Sequence, residues 1–139
     1  EGRVLNQLLL PDVHPALHEG ILGHRTSPGT DAIAVLETTD ACSNLLAVER
    51  ALKAVEVGLV EIRLADSLLA GKALAILHGE LHDIQAAVSV AQDELVARNA
   101  PLQHRILTAP HAASAAAIDA GTRFWEAVPL DLGGEEIPQ

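Results

Sequence analysis

Hydrophobic and polar positions in the middle of the chain follow two alternating periods, first that of a strand and then that of a helix. Residues 31–38 read DAIAVLET, a short apolar run that predicts a buried strand. Thr39 or Asp40 can then cap a helix, because apolar residues recur at helical spacing directly afterwards: Ala41, Leu45, Val48, Leu52 and Val55. Glu49, Arg50 and Lys53 fall off this stripe.

The same alternation repeats once further along. Strand-like runs at 57–64 (VGLVEIRL) and 72–78 (KALAILH) are followed by a helical stripe over residues 81–98. Pro101 ends that helix, and residues 102–109 (LQHRILTA) predict a fourth strand. The order is β-α-β-β-α-β, so residues 31–121 predict an α+β, ferredoxin-like domain. It has a four-stranded antiparallel sheet with helices on one face.

The two flanks of this domain differ in character. Residues 110–121 are rich in Ala and predict a short helix, and residues 122–139 form an acidic tail that contains Phe124 and Trp125. In the extension at residues 1–30, RVLNQLLLPDVHP resembles the passage RILTAPHA near the end of the domain. Aligning Leu10 with Leu107 also aligns His14 with His111, which indicates the end of a preceding copy of the domain. Chance similarity is the alternative over so short a match.

Composition narrows the classes of function. The formal net charge is −10 and only nine residues are Lys or Arg, which argues against binding to a nucleic-acid backbone. Cys42 is the only cysteine, so an internal disulfide is excluded and a reducing cytosol is the simple expectation. No apolar run approaches the roughly 20 residues of a membrane span, and we expect no membrane contact.

Candidate catalytic and metal-binding groups are few. His14 and His18, and likewise His78 and His82, have the i,i+4 spacing that can bind a metal on a helix. No carboxylate or cysteine completes either pair at a usual spacing, so we predict no metal site. Cys42 near a helix start is expected to pack. No nucleophile elbow or acid–base pair of carboxylates is present, so we predict no catalytic residue, no cofactor and no enzyme activity.

Four passages together resemble one known family, the bacterial microcompartment (BMC) shell domain. The family's first strand, A-(I/L)-G-(I/L)-(V/I)-E-T, resembles residues 32–38, with Ala34 in place of Gly. Its helix-to-strand passage resembles residues 47–60, and its second helix start resembles residues 78–87. Its closing I-P-R-P-H resembles LTAPH at residues 107–111. The passages RLADSLLAGKA and LPDVHPAL are most similar to the second half of tandem, trimer-forming members of the family.

The resemblance implies a structural protein of the microcompartment shell in the bacterial cytoplasm. Its partners would be copies of itself, as a hexamer or pseudohexameric trimer, and other shell proteins. Such tiles meet edge to edge, and the resemblance places Lys53, Glu56, Ala109 and His111 at the edge. Ala109 stands where the family has Arg, which removes a bidentate donor from that edge. From the residues alone, Lys53 could instead pair with Glu49 or Glu56 along its own helix.

The loop between the second and third strands lines the central pore of the family's tiles and admits small metabolites. Here the resemblance assigns that role to Asp66, Ser67, Leu68 and Leu69. A ring of Asp66 carboxylates would favour cations, and the two leucines could form a dry constriction. The alternative is that the leucines pack under the loop while Asp66 caps a turn.

A rival function uses the same fold. Split βαβ domains also serve as small-molecule-binding regulatory oligomers, whose ligands bind between subunits. That function predicts discrete oligomers and a ligand-dependent change in stability, whereas a shell protein predicts extended layers.

Overall fold

The computed structural model describes residues 2–65 and 69–121. In those ranges it contains four helices and four strands, in the order α1 (Pro15–Ile21), β1 (Ala32–Thr38), α2 (Ala41–Ala54), β2 (Gly58–Arg63), β3 (Ala73–Gly79), α3 (Leu81–Ala97), β4 (Leu102–Leu107) and α4 (Ala112–Ala120).

The four strands form one antiparallel sheet in the order β2-β3-β1-β4. The first strand of the chain therefore lies in the middle of the sheet, paired with β3 on one side and β4 on the other. A β-bulge between Leu59 and Glu61 interrupts the pairing of β2 with β3. This is the arrangement that the order of apolar runs predicts for a split β-α-β-β-α-β domain, and that prediction is confirmed.

The main core lies between the sheet and the helices α2 and α3. Alternate residues of β1 enter it, because side chains on a strand point to opposite faces in turn: Ala32, Ala34 and Leu36. They meet the buried stripes of the two helices, which include Leu46 and Ile84. The core is built from Ala, Val, Leu and Ile, so the helices can pack closely on the sheet.

The start of α2 is fixed by Asp40 at its N-cap. The Asp40 carboxylate accepts the Ser43 N–H at 2.9 Å and the Ser43 hydroxyl at 2.8 Å, which satisfies a helix donor that has no partner within the helix. Of the two predicted caps, Thr39 and Asp40, the structure selects the aspartate.

The flanking helices lie on opposite faces of the sheet. Helix α1 joins the helical face: its Leu17 is fully buried in the main core. Helix α4 reaches the other face, where Ile118 packs on a small cluster formed by Ile33, Val60 and Ile76. That face, which the predicted domain leaves without helices, is thus partly covered by the chain itself.

Arg25 holds the end of α4 in this position. Its guanidinium donates to the carbonyls of Ile118 at 2.6 Å and Asp119 at 3.1 Å, and it lies 3.2 Å from the carboxylate of Glu61 on β2. A cation at the last carbonyls of a helix also interacts favourably with the helix dipole.

Strand β4 ends at Leu107, two residues before the predicted end at Ala109. Thr108 and Ala109 form a bend, and Pro110 follows, which has no N–H to continue a sheet ladder. The predicted acidic tail, residues 122–139, lies outside the described residues.

Candidate functional site

Lys53, a predicted tile-edge residue, lies in the last turn of α2 and has two partners within the chain. Its ammonium lies 2.6 Å from a Glu49 carboxylate oxygen, one helical turn earlier, and it donates to the backbone carbonyl of Asp12. The helical pairing considered as an alternative is therefore present, with Glu49. The Lys53 side chain is still 40% exposed, so part of it remains at the surface.

Glu49 is the anchor of this contact. It is only 2% exposed, and its carboxylate accepts the backbone N–H of His14 at 3.0 Å in addition to the Lys53 ammonium. A buried carboxylate requires such partners, since an unpaired charge away from water is costly. The sequence pattern did not predict the burial of Glu49, because the segment that covers it comes from outside the predicted domain.

The other three predicted edge residues are exposed. Glu56 follows α2 directly, just before β2, whereas Ala109 and His111 follow β4. Because β2 and β4 are the two opposite edges of the sheet, Lys53 and Glu56 lie on one side of the domain, and Ala109 and His111 lie on the other. The two pairs of residues therefore do not contact each other within one domain.

His14 and His111 have the same local structure. Each is the N-cap of a helix, with φ and ψ of −56° and 135° for His14 and −58° and 145° for His111. In each, the ring Nδ1 accepts the backbone N–H two residues later, at 3.1 Å and 3.2 Å. Each is preceded by two bend residues at matching positions, Pro11-Asp12 and Thr108-Ala109. The alignment made from sequence therefore pairs two helix starts of equal conformation, whereas residues 5–10, aligned with β4, do not form a strand.

The predicted pore loop is described only in part. Asp66, Ser67 and Leu68 lie outside the described residues, and Leu69 is half-buried. Both sides of the gap carry left-handed backbone, at Ala65 with φ 49° and at Ala70 with φ 54°. This conformation costs a residue with a Cβ roughly 1–2 kcal/mol, so the loop carries local strain.

The histidine pairs are occupied by other contacts. His14 caps α1, the Nδ1 of His78 lies 3.2 Å from Asp31, and the Nε2 of His82 lies 3.3 Å from Asp83. Within residues 2–65 and 69–121, no group of three or more His, Cys, Asp or Glu is placed to hold a metal ion.

Cys42 is partly buried and lines a cavity of about 300 Å³. The cavity lies between residues 6–8 of the N-terminal segment and the domain, where Leu46, Arg98 and Ala100 complete the wall. It is therefore a gap between the N-terminal segment and the helical layer.

Comparison with known proteins defines the class. The family model of the BMC domain matches residues 32–110, which is more than half of the chain. The chain therefore belongs to the BMC domain family.

Two relatives match more of the chain than the family model does. The chain is 26% identical over 108 residues to the bacterial microcompartment shell protein PduT of Citrobacter freundii, covering 78% of this chain and 58% of that protein. It is similar to the crystal structure of a microcompartments protein from Desulfitobacterium hafniense DCB, with a TM-score of 0.68 and 25% identity. That match covers 78% of this chain and 60% of the other.

The chain spans about three fifths of the length of these relatives. Among the described residues, no helix combines the length and the apolar character needed to cross a membrane.

Proposed function

We propose that this domain is a building block of flat hexagonal or pseudohexagonal tiles, which pack edge to edge in a microcompartment shell and pass small metabolites through a central pore. The observation that carries the proposal is the placement of the predicted edge residues on opposite sides of one BMC domain. A ring of such domains brings the β2 side of each domain against the β4 side of the next.

We further propose that residues 3–22 are the end of a preceding BMC domain in the same chain. Leu5 and Leu9 are 92% and 86% exposed. The alignment of His14 with His111 matches them to Leu102 and Ile106 of β4, which pack against the core of their own domain. The two exposed leucines thus occupy positions that face the core in β4. This favours a preceding domain whose own core would cover them.

Ile21 fits the same proposal. It is 47% exposed, and the alignment matches it to Ile118. Ile118 packs on the far face of its own sheet, so a preceding domain would cover Ile21 in the same way. Two domains in each chain would make the tile a pseudohexameric trimer.

The proposed pore has the loop between β2 and β3 at its rim. Its support is the position of the loop within the BMC fold and the left-handed residues that flank it. Asp66 at the rim would select cations, because carboxylates around a narrow axis attract positive charge and repel anions.

The proposed tile edge uses Lys53. Its ammonium is anchored by Glu49 and the Asp12 carbonyl, so the side chain, which is 40% exposed, is held in one orientation. An ordered stem can lie along the same residue of a neighbouring tile across a two-fold axis.

Electron microscopy of the concentrated protein, in wild-type form and as Lys53→Ala, tests the proposal. We expect layers or tubes from the wild type, and discrete rings without layers from Lys53→Ala. Arg50→Ala is the matched control, since Arg50 lies one turn earlier on the same helix with its side chain 53% exposed, and it should leave the layers intact. A cooperative unfolding transition would show that Lys53→Ala is folded, at a lower midpoint than the wild type because the buried Glu49 carboxylate loses its ammonium partner.

Two results would contradict the proposal. One is Lys53→Ala layers that match those of the wild type. The other is a wild type that forms only discrete oligomers whose stability rises with a small-molecule ligand, as the regulatory function predicts.

A further inference from the structure

Helix α1 has one face buried against this domain and one face exposed. One face enters this domain: Leu17 is fully buried, and a β-carbon at Gly20 would lie 2.7 Å from Leu59 Cδ2 and 3.1 Å from Ile62 Cγ2. The helix therefore packs closely on these two side chains of β2 because position 20 has no side chain. The other face carries the exposed Ile21.

Helix α4 shows the complementary half of this arrangement. Its Ile118, aligned with Ile21, contacts its own sheet. The positions aligned with Leu17 and Gly20 are Ser114 and Ala117, and both are exposed. No residue of α4 is buried. In α4, none of the described residues covers the face that α1 turns towards a domain.

We propose that this open face of α4, Ser114 and Ala117, docks over the β2 strand of a BMC domain in an adjacent chain. The contact would repeat the one that α1 makes over β2 of this domain. This inference rests on the proposed tile, and it names the surface by which one chain holds the next.

The partner must be a BMC domain whose β2 strand is uncovered. In this chain α1 already covers that place, with Leu17 and Gly20 packed beside Leu59 and Ile62. A preceding domain in a neighbouring chain offers the free surface. A chain of two domains then contains one docking contact within itself and one contact to the next chain, and three such chains close a ring.

The polar contacts that residues 12–14 make with α2 give a second criterion for identifying the partner surface. In this chain the His14 N–H donates to Glu49, and Lys53 donates to the Asp12 carbonyl. The aligned groups on the β4 side are the His111 N–H and the Ala109 carbonyl. The partner surface should therefore present a carboxylate and a lysine one helical turn apart, as α2 does here. A backbone carbonyl can serve this contact, so the loss of the family's arginine at position 109 does not prevent it.

Small residues on the open face are required by the geometry. Gly20 packs against β2 with no room for a long side chain. Ala117, at the matching position, adds only a β-carbon, which a small shift of a flexible side-chain end such as that of Leu59 can accommodate. An arginine there would hold the helix away from the partner strand, while an arginine on the outer face would not.

The test is native mass spectrometry of the full-length natural protein and three variants. Ala117→Arg and Ser114→Arg change the open face, and Ala116→Arg is the control on the same helix. Ala116 is exposed and aligns with the exposed Glu19. We expect both open-face variants to raise the concentration needed for ring assembly by about tenfold or more, the effect of a charge forced into an interface core. The Ala116→Arg rings should persist, and all three variants should keep the wild-type unfolding midpoint.

The outcomes separate this inference from the proposed function. Wild-type rings that persist in both open-face variants would overturn the docking surface and leave the tile proposal standing. Equal disruption by Ala116→Arg would also overturn it, because the effect would not be specific to the face. A wild type that forms no ring would overturn the tile proposal and the docking surface with it.

Discussion

The backbone N–H of His14 donates to the carboxylate of Glu49, 35 positions further along the chain, at 3.0 Å. This bond ties the N-terminal segment to α2. Lys53 pairs with the same carboxylate and also donates to the Asp12 carbonyl of that segment. The segment is therefore docked by polar contacts as well as by the apolar contact of Leu17.

Replacing Glu49 with Ala should release the segment. The change leaves the partly buried backbone N–H of His14 without its acceptor, which costs about 1–3 kcal/mol, while the ammonium of the half-exposed Lys53 can turn to water. Glu56→Ala, which removes an exposed carboxylate just after the same helix, should cost less than about 0.5 kcal/mol. Urea unfolding measures both, and trypsin cleavage at Arg25 should become faster in Glu49→Ala alone. Equal costs in the two variants would show that Glu49 is not the anchor.

Leu17→Ala tests the apolar side of the same docking. Leu17 is fully buried in the main core, so the substitution should lower the free energy of unfolding by about 2–5 kcal/mol. Leu22→Ala is the matched control, because Leu22 is the C-cap of the same helix and is 60% exposed. It should have little effect on urea unfolding. A Leu17→Ala variant as stable as Leu22→Ala would mean that α1 does not contribute to the core.

The domain itself could be predicted from the sequence because its signals are local. The run at residues 31–38 has the length and composition of a buried strand, and the stripe from Ala41 to Val55 fits only a helix. Their order leaves few topologies for a four-stranded sheet. The structure confirms the order and shifts the ends of elements by one or two residues, as at Leu107.

The docking of α1 could not be predicted in the same way. Glu49 lies off the apolar stripe of α2, and its burial depends on His14, a residue outside the predicted domain. Local patterns carry no information about contacts between distant segments. The only signal was the match of His14 with His111, which indicates a repeat and does not indicate where it packs.

Stability in acid should depend on Asp40. Partial burial by itself would raise the pKa of this carboxyl. Hydrogen bonds from the Ser43 N–H and hydroxyl, the Asn6 amide and the Thr39 hydroxyl outweigh it, so the pKa lies below its ordinary value. A lowered pKa adds stability above the unfolded-state value of about 3.9, and this is lost as the pH falls through the folded-state pKa.

Asp40→Asn should therefore weaken the acid sensitivity of folding. Asparagine is as good an N-cap as aspartate, so the helix start is kept while the titrating group is removed. Urea unfolding between about pH 5 and pH 2 should show a smaller loss of stability in Asp40→Asn than in the wild type. Parallel curves for the two proteins would contradict the assignment.

The pore proposal makes its own prediction at Asp66. Several copies of this carboxylate around one narrow axis would attract cations, so Asp66→Gly should reduce the preference for cations over anions in single-channel recordings of tiles inserted in a planar bilayer. Asp83→Asn is the matched control, since it also removes one negative charge per domain but lies at the start of α3, beside His82. It should leave the reversal potential in a salt gradient at the wild-type value. An Asp66→Gly tile whose reversal potential equals that of the wild type would exclude this carboxylate from the pore.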